Sequence, residues 1–188
     1  MWFHDAVDLL RKSEKLYMEF EIHPPKLKPI FPLNIFQIGG GWMKKVLKKV
    51  GSQAIPKLNP PFQKLGYFKY GLALCGAILA TGLLFPLNPG AAFLAGILIF
   101  YALEAQMVFL FPLSIVGKPN PIGESFRQTQ RAGGTLKVMG IVMIVALYMV
   151  TGGFLKGSIK KSWCIGCLMV LVWYLHLNGK KVASHGLV

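Results

Sequence analysis

One acidic residue, Glu104, lies within a long apolar stretch of this 188-residue chain. A carboxyl group in a hydrocarbon environment costs roughly 2.5–3.5 kcal/mol on insertion scales, so such a residue is a functional candidate by default. A neutral Glu104 could donate a hydrogen bond to Tyr148 or Tyr174, whereas an ionised one needs a cation or water. The functional interpretations are a proton relay, an ion site or a contact inside a larger assembly. The alternative is a protonated side chain satisfied within a helical bundle.

Two cysteines, Cys164 and Cys167, form a C-x-x-C sequence at the start of the last apolar stretch. This spacing suits a redox disulfide or half of a metal site, and Lys160 and Lys161 just before it would favour a thiolate. A chain with four apolar spans and a C-x-x-C in the last one resembles the vitamin K epoxide reductase group of quinone-linked thiol oxidases. The resemblance covers only the span count and this tetrapeptide, and it implies a quinone. The second pair of loop cysteines found in that group has no counterpart here, and the alternative is that both thiols are small packing residues.

Basic residues beside apolar ones form two candidate sites for lipid headgroups. In the first, four lysines are predicted to face away from an apolar side, the pattern of a short helix in the headgroup plane with its tryptophan at the boundary. Its members are Trp42, Lys44, Lys45, Lys48 and Lys49. In the second, Arg127 and Arg131 lie in the predicted loop Gly117–Gly134, where they could hold a lipid phosphate or an acidic partner. The alternatives are a helix that caps a partner subunit and a solvated connecting turn.

Four apolar stretches must position these residues, and we predict that they are four transmembrane helices of an all-α bundle. Each is about long enough to cross a hydrocarbon core of ~30 Å. A segment in lipid must satisfy its own backbone hydrogen bonds, which favours helices. The stretches are Tyr70–Leu87, Ala91–Phe111, Leu136–Leu155 and Trp163–Leu177. The chain is therefore predicted to be a polytopic integral membrane protein.

The segment before the bundle is predicted to be an amphipathic, Pro-rich collar at the membrane interface. Its first 20 residues have apolar side chains at helical spacing, in a line of Phe3, Val7, Leu10 and Tyr17. Four prolines between residues 21 and 34 exclude a helix interior there, so we expect an extended segment that ends at glycines 39–41. We divide the chain into the collar 1–66, the bundle 67–177 and a short polar C-terminal tail 178–188.

Composition and charge agree with a membrane protein. Hydrophobic residues make up 54% of the chain and the mean hydropathy is +0.51. The formal net charge is +14, and because the bases lie beside apolar segments we expect anionic phospholipids rather than nucleic acid as partners. The turn Pro86–Gly90 carries no charge, whereas the next loop holds Lys118, Arg127 and Arg131. By the positive-inside rule we predict an N-in, C-in orientation in a bacterial or organellar inner membrane.

These observations predict a non-catalytic structural or accessory subunit of a larger membrane complex, with other membrane subunits as partners. Bound lipids are expected, and no cofactor or metal is predicted, because no Walker loop, Ser-His-Asp set or nucleotide fingerprint occurs. Two alternatives stay open. One is a membrane thiol oxidoreductase that uses Cys164, Cys167 and a quinone, and the other is a small proton- or ion-coupled transporter that uses Glu104.

Overall fold

The computed structural model describes residues 2–20, 22–25, 34–50, 55–56, 60–155 and 158–179. The described residues form eight α-helices and no strand, so the predicted all-α fold is confirmed. In chain order they are α1 (Trp2–Glu19), α2 (Ile35–Val50), α3 (Phe62–Leu84), α4 (Pro89–Gln106), α5 (Leu110–Val116), α6 (Pro121–Arg131), α7 (Thr135–Leu155) and α8 (Ile159–Leu177).

Three helical segments are long and apolar enough to cross a membrane. They are Phe62–Leu84, Pro89–Val116 and Thr135–Gly152, and they match the first three predicted spans. The fourth predicted span lies in α8, which is not one of these segments within the described residues. Most of α8 is buried inside the protein, because α1, α2, α5 and α7 pack around it. An apolar sequence suits a protein core as well as lipid, and the fourth span stays a prediction.

Helices α3 and α4 form an antiparallel hairpin. At the turn, the Asn88 side chain accepts a hydrogen bond from the Ala91 backbone N–H at 3.0 Å, and Pro89 occupies the first turn of α4. Both features are typical helix starts, since they satisfy or remove N–H groups that have no partner within the helix. The two helices approach closely where Gly96 faces Thr81, because any Cβ at Gly96 would overlap that side chain.

Helix α2 begins earlier than predicted. Glycines 39–41 were expected to precede the helix, but α2 starts at Ile35 and contains all three. The Phe62 ring lies against Gly40, and the Phe36 ring lies against Gly66 of α3, each where a Cβ would overlap the ring. Glycine weakens a helix by roughly 0.5–1 kcal/mol, and here it also permits the close contact between α2 and α3.

The N-terminal helices pack on the chain itself. Helix α1 contacts α7 and α8, and its buried side includes Leu9, Leu10 and Leu16, whereas Phe3 of the predicted apolar line is exposed. The Trp42 indole N–H of α2 donates to the His23 carbonyl at 2.9 Å. Much of the apolar surface of α1 and α2 thus packs against the rest of the chain. The interfacial position of the collar stays a prediction, and residues 26–33 of its Pro-rich part lie outside the described residues, as do residues 180–188 of the tail.

The predicted loop between the second and third spans contains helix α6. The Asn120 side chain caps α6 by accepting a hydrogen bond from the Gly123 N–H at 3.0 Å. Ser125 donates to the Gln106 carbonyl at 2.7 Å, and Thr129 donates to the Ala105 carbonyl at 2.9 Å. The polar side of α6 therefore satisfies carbonyls at the end of α4, which a solvated turn would leave to water.

Candidate functional site

A buried ion pair joins α3 to α4. Lys69 Nζ lies 2.7 Å from Glu104 Oε1, and the exposed fractions of the two side chains are 5% and 11%. The ammonium also lies 5.1 Å from the ring centroid of Tyr70 and 5.9 Å from that of Phe111, where the electron-rich faces favour a cation. The charge of Glu104 is thus compensated within the chain by a lysine.

Lys69 was absent from the predicted site, because the first span was predicted to start at Tyr70, one residue later. In the structure α3 begins at Phe62. A signal in the sequence could have identified the pair. The turn of the hairpin runs from Phe85 to Asn88. Lys69 lies 16 residues before Phe85 and Glu104 lies 16 residues after Asn88, so the two residues are at the same distance from the turn along neighbouring helices.

The second oxygen of the Glu104 carboxyl group, Oε2, is buried and has no hydrogen-bond partner among the described residues. Leaving a buried acceptor unsatisfied costs about 1–3 kcal/mol, and more for a charged group. The carboxyl group therefore has one oxygen committed to Lys69 and one able to accept a hydrogen bond from another molecule.

The two tyrosines predicted as partners of Glu104 lie elsewhere. The Tyr148 hydroxyl donates to the Glu14 carboxylate at 2.5 Å and so links α7 to α1. Tyr174 is buried in α8, and its backbone carbonyl accepts a hydrogen bond from the Asn178 side chain at 2.7 Å. In the described contacts, the partner of the Glu104 side chain is Lys69 rather than either tyrosine.

Glu104 and Lys69 line a cavity of about 350 Å³ between α2, α3, α4, α5, α7 and α8. Aromatic rings form much of its wall, namely those of Phe36, Tyr70, Phe100, Tyr101, Phe111, Trp163 and Trp173. This volume falls within the ~300–1,000 Å³ range of small-molecule sites, which are mostly apolar with a few polar groups. The cavity can therefore hold an apolar molecule beside a fixed ion pair.

The cysteines of the C-x-x-C sequence are free thiols in α8. Cys164 is fully buried, whereas Cys167 is half-buried and lines the cavity. The Lys161 ammonium, which was expected to favour a thiolate, instead lies 5.9 Å from the Tyr17 ring centroid. Cys75 is exposed on α3. Within the described residues, no group of three or more His, Cys, Asp and Glu side chains is arranged to hold a metal ion.

The residues predicted to contact lipid headgroups have different environments. On α2, Trp42 and Lys44 are buried, whereas Lys45, Lys48 and Lys49 are exposed. Lys49 donates a hydrogen bond to the Phe20 carbonyl.

On α6, Arg127 is exposed and pairs with Glu124 at 2.9 Å. Arg131 lies in a polar cleft that also contains Asp5 and Lys137. The exposed bases of α2 and α6 therefore remain candidates for anionic lipid.

The fold and the site define an all-helical protein with three segments suited to cross a membrane and a buried ion pair beside an aromatic cavity. No protein-family model matches the chain, and neither a curated protein nor a solved structure matches it. Its function must therefore be argued from its own residues.

Proposed function

We propose that this chain is a non-catalytic accessory subunit of a larger multi-pass membrane complex. The observation that carries the proposal is an outward side of α3 made largely of small residues. Gly71, Cys75, Ile78 and Gly82 recur at steps of four, three and four, so they lie on one side of the helix. All four are exposed, and a Cβ at Gly71 or Gly82 would meet open space.

This small-residue side favours a protein neighbour over lipid alone. Glycine in a helix costs stability, and neither Gly71 nor Gly82 supports a close contact with another described residue. Transmembrane helices associate through such small residues because their backbones can then approach closely. Leu79 and Leu83, next to this side, are 65% and 77% exposed, which adds apolar area for a partner helix or for lipid.

The proposed setting is a bacterial or organellar inner membrane, with the N-terminus on the cytoplasmic or matrix side. A crossing by α8 as the predicted fourth span would place the C-terminus on the same side. The exposed Lys45, Lys48 and Lys49 of α2 and the exposed Arg127 and Arg131 of α6 would contact anionic phospholipids there. Other membrane subunits are the proposed protein partners, and no nucleic acid is proposed.

The native thiol of Cys75 allows a direct test, because it is exposed in the middle of the proposed contact. A maleimide photocrosslinker on Cys75 of membrane-embedded protein should give one discrete heterologous product, which mass spectrometry can identify. The double variant Gly71→Leu, Gly82→Leu should lose that product, since two large side chains separate the helices. The control Leu147→Phe, at an exposed position on α7 away from this side of α3, should keep it. Crosslinks to lipid alone would contradict the proposal.

A quinone-linked thiol oxidoreductase is the second candidate, and it is favoured by the position of Cys167 on the wall of an aromatic cavity. In that reaction the thiols of Cys164 and Cys167 would form a disulfide, and their two electrons and two protons would reduce a quinone to a hydroquinone. Replacing either cysteine with serine should abolish quinone reduction. Unchanged activity of the double variant would eliminate this candidate.

A small proton- or ion-coupled transporter is the third candidate, since Glu104 borders a cavity within the spanning helices. The Glu104→Gln variant should then lose flux in reconstituted vesicles. Retained flux would exclude an obligatory carboxylate.

A further inference from the structure

We propose that the cavity between α2, α3, α4, α5, α7 and α8 binds a neutral amphiphile whose ring-borne hydroxyl group donates a hydrogen bond to Glu104 Oε2. This inference is independent of the subunit proposal, because it concerns the interior of the helical cluster rather than the outward side of α3.

The hydrogen-bond requirement of the ligand follows from Glu104. Its Oε2 atom is buried without a partner, while Oε1 is held 2.7 Å from Lys69 Nζ. A buried carboxylate oxygen is a strong acceptor, and hydrogen bonds to charged groups contribute about 1.5–3 kcal/mol. The ligand must therefore present a donor. A hydroxyl group also accepts, so it can bond to the Lys69 ammonium as well.

The charge of the ligand follows from the ion pair. Lys69 and Glu104 already compensate each other, and an additional charge in this apolar cavity would lack a counter-ion. Burying an uncompensated charge is strongly unfavourable. The site therefore favours a neutral molecule over a carboxylate, a phosphate or an ammonium compound.

The shape of the ligand follows from the walls. Seven aromatic side chains line a volume of about 350 Å³, and flat rings pack well against such walls in offset or edge-to-face arrangements. Since a water molecule occupies about 30 Å³ of liquid, the volume suits a single substituted ring rather than a whole phospholipid. A phenol with a short alkyl chain has this size and one donor.

The route of access is on the side of the spanning segments. Two of the lining residues are also at the surface, Tyr70 of α3 with 37% of its area exposed and Val150 of α7 with 59%. Both lie in segments that are suited to cross a membrane. A ligand would thus reach the cavity from the bilayer, where a neutral amphiphile concentrates.

Fluorescence of the full-length protein in mild detergent tests the proposal, because Trp163 and Trp173 line the cavity and a brominated ligand quenches indole on contact. The probe is a ring-brominated para-butylphenol, at a pH where its hydroxyl is protonated, and its methyl ether is the matched compound without a donor. We expect saturable quenching, with the phenol binding at least about tenfold more tightly than the ether, which corresponds to about 1.4 kcal/mol.

Three variants distinguish a hydrogen bond from the ligand hydroxyl to Glu104 from nonspecific partitioning of the ligand into the protein and detergent. The double variant Lys69→Met, Glu104→Leu should reduce the preference for the phenol to less than about threefold, since the acceptor is gone. Ala146→Phe, which fills the cavity from α7, should abolish saturable quenching by both compounds. The adjacent control Leu147→Phe, at an exposed position outside the lining, should bind like the wild type.

Equal affinities for the phenol and the ether in the wild type would overturn the proposal. So would the absence of saturable quenching by the phenol, or a Lys69→Met, Glu104→Leu variant that keeps the full preference. Because that variant does not depend on filling the cavity, the proposal stays testable even if Ala146→Phe fails to fold.

Discussion

At the scale of single residues, Lys69 and Glu104 form a buried ion pair in the apolar α3–α4 hairpin. Removing one member of a buried pair leaves an uncompensated charge and typically costs about 3–5 kcal/mol, whereas replacing both with apolar side chains is often neutral or stabilising. The pair is therefore a poor source of stability, and its retention in an apolar hairpin is more easily explained by what it binds.

Single and double replacements of the pair test this view. We expect Lys69→Met alone to lower the free energy of unfolding by about 3–5 kcal/mol and Lys69→Met, Glu104→Leu to restore it to near the wild-type value. Thermal or denaturant unfolding in one detergent measures both. A double variant as unstable as the single one would mean that the buried contact does not depend on charge compensation.

A second ion pair gives the protein an acid-sensitive contact between α1 and α7. Lys137 Nζ lies 2.7 Å from Asp5 Oδ2, and the exposed fractions of the two side chains are 39% and 44%. The hydrogen bond from Lys137 lowers the pKa of Asp5 below its ordinary value, against a smaller opposing effect of desolvation. Its contribution to stability is therefore present above about pH 4 and is lost as the pH falls through the lowered pKa.

We expect Asp5→Asn to destabilise the protein at neutral pH by less than about 1 kcal/mol, because solvent screens an exposed pair. The difference from the wild type should shrink as the pH falls below about 4 and as salt is added. Asp8→Asn, one turn further along α1 and without a described ion pair, is the control. Unfolding curves at several pH values measure the stability difference between the wild type and Asp5→Asn. A difference that grows toward acidic pH would contradict the predicted direction of the pH dependence.

At the scale of helices, adjacent glycines of α2 should respond differently to the same substitution. Gly40→Ala would force a methyl group into the Phe62 ring, and we expect a loss of about 1–3 kcal/mol of stability. Gly41→Ala has open space and should leave stability unchanged or raise it by up to about 1 kcal/mol through helix propensity. Thermal unfolding of the two variants compares them, and equal effects would show that α2 does not contact α3 as described.

The same helices show which features the sequence could predict. Three spanning segments and the turn of the α3–α4 hairpin were predictable, because apolar length and the uncharged turn Pro86–Gly90 are local properties. The start of α2 was not predictable, since Gly39 and Gly40 pack against Trp163 and Phe62, which are distant in sequence.

The candidate site was predictable only in part, for the same reason. Glu104 was identified because an acid in an apolar stretch is conspicuous, and Cys167 was identified by its spacing. Their neighbours were not, because the partner of Glu104 lay outside the predicted first span and the cavity is formed by six separate helices. Apolar composition likewise could not show that most of α8 is covered by other helices of the chain.

At the scale of the whole molecule, the N-terminal helices α1 and α2 cover part of the buried helix α8. Helix α1 contacts α7 and α8, and α2 contacts α3, α5 and α8. Deleting residues 1–50 would remove the contacts of α1 and α2 with α8 and so expose part of its buried surface. We expect the truncated chain to aggregate or to unfold at lower temperature, as measured by size-exclusion chromatography and thermal unfolding. A monodisperse product of unchanged stability would mean that these helices serve only for assembly.

The native mass of the tagged full-length protein, extracted in a mild detergent and analysed for co-purifying chains by mass spectrometry, tests the subunit proposal most directly. The small-residue side of α3 predicts a large complex in which other membrane proteins are present in fixed stoichiometry, and the Gly71→Leu, Gly82→Leu variant should dissociate from it. A monomer or simple homodimer that carries no other chain would contradict the proposal.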